Sequence, residues 1–253
     1  MRTRSKQLSL REAQRAIYID FEGLKDQAPA LLGVLVDNRL RQHVFDPVLQ
    51  KMNPGASARL RIDGVLTSGR SGRLARTIGK LAARCEREGR RICAFSDHDL
   101  KVIKRYVGTD VATVYVNARL VARRWINACH PDARPSSQRL RDYLALRVVR
   151  YHHPVPSGQA AKWIRQVKRT VGRLHASLAA NARAAERWRM LLEYNAHDCI
   201  GLRHLTLLAA RDYQEKRHSS VATTPKGALL GERRTGDVDG GRARNKPKER
   251  CGK

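Results

Sequence analysis

The chain has 253 residues and carries 51 Lys and Arg against 23 Asp and Glu, a formal net charge of +28. A field of that sign and size draws polyanions, nucleic acid first and anionic membrane surface second. Five cysteines, none in a CxxC pair, argue against a zinc ribbon or a disulfide framework and suit a reducing compartment.

The 42% of hydrophobic residues is enough for the core of one domain of about 200 residues with tails. Residues 1–14 read as a basic N-terminal arm without the apolar segment of a secretory signal. Ala16–Phe21 reads as the first strand. Leu31–Asp37 and Gln42–Asp46 read as two more, and the short connections predict an antiparallel meander of three strands. Residues 47–70 carry no clear pattern. Leu74–Glu88 has apolar positions at Leu74, Ile78, Leu81 and Cys85 with basic residues between them, so an amphipathic helix is expected, stopped by Gly89.

Arg91–Ser96 is the expected fourth strand, followed by a helix from Asp97 to Val107, a fifth strand over Val111–Val116 and a helix over Ala118–Ala128. The remainder of the ordered chain reads as helices: Ser136–Val148, Gly158–His175, Leu178–Glu193 and Asn195–Tyr213, with residues 150–158 as a linker. Beyond residue 213 the composition turns to Ser, Thr, Gly, Pro and charge, the mark of a disordered basic tail over residues 214–253. The expected fold is α/β, a mixed sheet flanked by helices with a helical C-terminal half, spanning residues 15–213. The longest aliphatic run, Leu31–Val36, is too short to span a bilayer, so a cytoplasmic protein without membrane partners is expected.

Within this frame the acids stand out. Asp20 and Glu22 sit two residues apart at the end of the first strand, which puts them on one face while Ile17, Ile19 and Phe21 face the other way. Two like charges side by side repel unless something positive lies between them. In the helix after RICAFS, Asp99 continues the apolar stripe of Val102, Ile103 and Tyr106, whereas Asp97 aligns with Lys101 and Lys104 and suits an N-cap. In the last helix Asp198 heads the stripe of Leu202, Leu205 and Ala209, with Tyr194 one turn earlier. Each acid alone reads more readily as a buried carboxylate satisfied by Arg or backbone donors. Four acids at the ends of elements aimed at one sheet edge read instead as a set of hard oxygen ligands for magnesium or manganese. Two such ions, about 4 Å apart, support in-line attack of water on a phosphodiester.

These residues resemble the DEDD-type exonucleases of the ribonuclease H-like fold. IYIDFEG is similar to that superfamily's first motif, a strand ending Asp-x-Glu, and ICAFSDHDL looks like the second. EYNAHDCIGL looks like the tyrosine form of the third, Tyr-x-x-x-Asp, through Tyr194 and Asp198. SSQRLRDYLAL is similar to a helix that often lies between the second and third motifs. The resemblance covers about residues 15–213. It implies Asp20, Glu22, Asp99 and Asp198 as ligands of two Mg2+ or Mn2+ ions and Tyr194 as the group that orients the attacking water. It further implies a 3′–5′ exonuclease acting on a single strand or 3′ end of DNA or RNA. The common second motif has Asn four residues before its Asp; Phe95 stands there relative to Asp99, which leaves Asp97 and Asp99 both open as the ligand. A nuclease-like module that binds nucleic acid without cutting it is the alternative.

Other signals point to structure. Trp125, Trp163 and Trp188 fall in helical patterns and read as core. His152 and His153 read as linker beside Pro154. His197-Asp198 resembles the dyad of metal phosphohydrolases, but that all-helical family has no counterpart to a strand carrying Asp20 and Glu22.

Overall fold

Strand β1 (Ile17–Glu22) lies inside the sheet because every side chain from Ile17 to Ile19 is buried and the alternation sends them to two different cores. It pairs antiparallel with β2 (Leu31–Val36), which pairs antiparallel with β3 (Arg39–Val44). On its other side β1 pairs parallel with β5 (Ile92–Ala94), and β5 pairs parallel with β6 (Tyr115–Asn117). A two-residue strand β4 (Arg61–Ile62) runs parallel to β3, giving the order β4-β3-β2-β1-β5-β6. This computed structural model describes residues 8–50, 52, 61, 62, 70–108, 110–156, 158–173 and 182–222. The fold is mixed α/β, as the sequence predicts.

The β2–β3 turn is tighter than the sequence reading has it. Asp37 and Asn38 both take positive φ (48° and 63°), the two-residue geometry that matches strand twist, so β3 begins at Arg39 rather than Gln42. Helix α3 (Arg70–Glu88) and helix α4 (Asp97–Tyr106) cover one sheet face. Leu74, Ile78, Leu100 and Ile103 close a core there with Ile17, Ile19, Leu32 and Val34. Gly89 ends α3 at φ +60°, as expected of a C-terminal glycine.

The other face receives helix α5 (Ala118–Cys129), helix α6 (Leu140–Leu144) and the long helix α8 (Ala182–Ala222). Tyr18, Trp125, Tyr143, Leu202, Leu205 and Ala209 share that core. A third cluster joins helix α2 (Pro47–Gln50) and helix α7 (Ala160–Arg173) to α8 through Leu49, Trp163, Ile164, Trp188 and Leu191. The three tryptophans are core residues, exposed by 6% or less. Each large apolar side chain so buried contributes on the order of 2 kcal/mol.

Several expected elements differ. The two helices expected on either side of Tyr194 are one continuous α8 through to Ala222; its buried stripe passes from the Trp188 cluster to the Leu202 cluster, and that change of partner reads in sequence as two amphipathic segments. Residues 223–253, most of the expected tail, lie outside the described residues. The helix expected over Ser136–Val148 shrinks to α6, because Ser136 and Ser137 donate to the Asp142 carboxylate and hold the preceding backbone in a turn. The fifth strand is short because the Asp110 side chain accepts from the Ala112 N–H and turns the chain before Tyr115. A helix α1 (Leu10–Arg15), closed by a capping box between Ser9 and Glu12, precedes β1, where the sequence reading had none.

Candidate metal centre

Asp20 and Glu22 end β1 on the face that looks at α8. Asp20 lies opposite Gly33 of β2. Gly33 has no side chain to hold the helix away: a Cβ there would lie 2.4 Å from Asn195 Oδ1 and 2.8 Å from Cys199 Sγ. Helix α8 therefore seats against the sheet at this point. Asn195 Nδ2 donates to the Asp20 carbonyl (3.0 Å) and to Asp20 Oδ2 (2.8 Å). Gln42 of β3 donates from Nε2 to Asn195 Oδ1 (2.9 Å) and to the Leu192 carbonyl (2.8 Å). Two fully buried amides thus lock the helix to β1 and β3 and fix the Asp20 carboxylate.

One turn past Asn195, this seating brings Asp198 to the strand end. Carboxylate oxygens of Asp20, Glu22 and Asp198 lie within 4.8 Å of one another. Asp99, at the start of α4, is buried beside them but stands outside that set of mutually close oxygens. Its charge is felt by both Asp20 and Glu22. Asp97 is partly exposed, and the N-cap of α4 is Ser96, which accepts from the His98 N–H; Asp97 is not the cap. Phe95 packs edge-on against Tyr143 and offers the site no polar atom.

The electrostatics follow from burial and crowding. Burial first, then the charges of Glu22, Asp198 and Asp99, raise the Asp20 carboxyl well above the ordinary carboxylate range, against the lowering effect of Asn195. Glu22 is raised by burial, Asp198 and Asp99. Asp99 is raised to about 6, chiefly by burial. At an effective dielectric constant near 20, two ionised oxygens at this range repel by about 3.5 kcal/mol. Among the described residues, no Lys or Arg forms an ion pair with any of the four acids, although the chain carries 51 such residues.

Tyr194 sits a turn before Asp198, between the Trp163 ring (centroids 6.3 Å) and the His153 ring (5.3 Å). Burial, the three acids and a hydrogen bond to Asp198 raise its phenol far above the ordinary value, so the hydroxyl stays protonated. His153 is not a solvated linker residue. It is buried, and its Nε2 lies 3.2 Å from Asp198 Oδ1. The angle is not that of a hydrogen bond, and neither atom has another hydrogen-bond partner among the described residues. The His153 ring nitrogens are not part of the set of mutually close donor atoms. His197 turns away and meets the Tyr151 hydroxyl through Nδ1 at 2.9 Å.

An all-oxygen donor set of three mutually close carboxylates fits a hard divalent cation such as Mg2+ or Mn2+. The residues missed by sequence reasoning are Gly33, Gln42, Asn195 and His153. A glycine inside a strand and an asparagine on a buried helical stripe are the signals that could have found the first and third. Models of protein families, curated proteins and solved structures were each compared with the chain, and none matches it.

Proposed function

We propose that the chain is a metal-dependent nuclease of ribonuclease H-like fold that hydrolyses phosphodiester bonds of DNA or RNA, with Asp20, Glu22, Asp99 and Asp198 as ligands for two Mg2+ or Mn2+ ions. The observation that carries this reading is a close cluster of Asp20, Glu22 and Asp198 that, among the described residues, forms no ion pair with Lys or Arg in a protein of charge +28. A structural carboxylate in so basic a chain would take an Arg partner; three acids crowded without one among the described residues, with Asp99 buried nearby, fit a site reserved for a cation. The meander β1–β3, continued by parallel β5 and β6 beyond β1, supports the fold. The 3′–5′ direction rests on the resemblance of the three motifs alone.

Bound at the acids, divalent cations supply charge stabilisation to the phosphodiester and lower the pKa of the attacking water. The chain's own residues do the rest. Asn195 and Gln42 hold Asp20 in register with Asp198. His153, its Nε2 3.2 Å from Asp198 Oδ1, orients the Asp198 carboxylate. The protonated Tyr194 hydroxyl orients the attacking water without serving as its base. Lys and Arg side chains bind the phosphate backbone.

One observation favours the non-catalytic alternative: Phe95, where the common second motif has Asn, gives its polar role to nothing else in the strand. The test is release of nucleotides from 5′- and 3′-labelled DNA and RNA strands with Mg2+, Mn2+ or chelator. The reading expects metal-dependent cleavage; binding without cleavage under every metal would overturn it in favour of the alternative.

A further inference from the structure

We propose that the sheet face opposite the acid cluster carries a second nucleic-acid contact, a groove between β3 and α3 that grips phosphodiester backbone. The alternation of β3 fixes the sides. Gln42 points at α8, so Arg39, Arg41 and His43 point the other way, toward α3. Across from them α3 presents Arg73, Arg76, Lys80 and Arg84 along one helical stripe. The groove between the two walls is about 800 Å³, floored by Val34, Phe45 and Leu81.

Both walls are cationic. Asp37 is the one acid among the described lining residues, and it is already bound by Arg90 at 2.8 Å and Arg84 at 3.4 Å. Arg39, Arg76 and Lys80 are exposed and form no ion pair among the described residues. Like charges facing each other over an apolar floor are unfavourable in the empty protein and focus a positive potential into the concavity. The geometry suits a chain of anions. Arg76 and Lys80, four residues apart on a helix, repeat at about 6 Å. Arg39 faces them from the strand wall. Cations spaced along and across a groove are matched by a polyphosphate backbone and are more than a single small anion needs. A strand held here lies on the other face from Asp20 and Asp198, so the groove holds nucleic acid away from the reacting bond. The inference rests on the nucleic-acid half of the reading above and not on its cleavage half.

The test is binding of the full chain, in chelator, to a labelled 30-nucleotide single strand, the matching 30-base-pair duplex and phosphatidylserine vesicles, from 50 to 300 mM salt. The compared proteins are the wild type, Arg76→Glu/Lys80→Glu, and a control of equal charge change, Arg123→Glu/Arg165→Glu, exposed on α5 and α7. Each lost phosphate contact lowers the slope of log K against log salt by about 0.7–0.9. The groove variant is expected to lose about 1.4–1.8 from that slope on strand, duplex or both, and the control much less. Arg76→Gln/Lys80→Gln should give a smaller loss of the same kind, which covers the case of a misfolded charge reversal. Equal losses in groove and control variants would overturn the proposal, as would a loss confined to vesicles. Because no metal is present, an inactive wild type would sink the nuclease reading and leave this result standing.

Discussion

Gly33→Ala tests whether the close seating of α8 builds the centre. The new Cβ would lie 2.4 Å from Asn195 Oδ1 and 2.8 Å from Cys199 Sγ. Neither atom can swing clear: Asn195 is held by Asp20 and Gln42, and Cys199 is fully buried. The helix itself has to move. Overpacking of this kind costs about 1–3 kcal/mol, against roughly 0.5–1 kcal/mol gained by replacing glycine inside a strand. A net loss of about 1–2 kcal/mol lowers Tm by roughly 2–8 °C in a domain of this size. The shift also draws Asn195 and Asp198 from Asp20, so Mn2+ affinity should fall more than stability does. Gly79→Ala is the control: nothing lies within 4 Å of its Cβ position on α3, and there alanine should raise stability by about 0.5–1 kcal/mol. Melting curves by circular dichroism in chelator, followed by Mn2+ titration, read both effects. A Gly33→Ala protein that melts at or above wild type and binds Mn2+ equally well would mean that the seating of α8 at Gly33 does not build the centre.

Three further outcomes are expected. Asp20, Glu22 and Asp99 titrate higher folded than unfolded, so the folded protein keeps protons that the unfolded chain has already released. In chelator, stability should therefore fall as pH rises from about 4 through about 6, and Asp99→Asn should flatten that fall in urea titrations across the range. In nucleotide-release assays Asp99→Asn should lose activity by orders of magnitude while the partly exposed Asp97→Asn keeps most of it; the reverse would make Asp97 the ligand. His153→Phe should weaken Mn2+ binding roughly tenfold or more, as loss of a group backing a ligand does, and His153→Gln should recover part of it; equal affinities in calorimetry would reduce His153 to packing.

Much of the fold was legible because its signals are local. The meander, the α3 stripe and the β5–α4 unit follow from periodicity and punctuation, and the buried stripe that carries Asp99 and Asp198 follows from spacing of three and four. The continuity of α8 was not legible, because its buried stripe changes partners from the Trp188 cluster to the Leu202 cluster and Gly201 interrupts it in sequence. All four acids could be assigned to one sheet edge from spacing, and three of them, Asp20, Glu22 and Asp198, lie mutually close. Their support could not be read that way, since Gly33, Gln42 and Asn195 come from three elements and meet only in the packed sheet. His153 was misread for the same reason: nothing local distinguishes a histidine in a proline-containing linker from one folded back onto Asp198.

Mn2+ titration of the full chain, followed by electron paramagnetic resonance, decides whether the acid cluster is a metal centre. The wild type should remove the signal of free Mn2+ saturably. Asp20→Asn and Asp198→Asn should abolish that uptake while each still folds and still binds a labelled strand in chelator. No saturable uptake by the wild type, or equal uptake by all three proteins, would contradict the account.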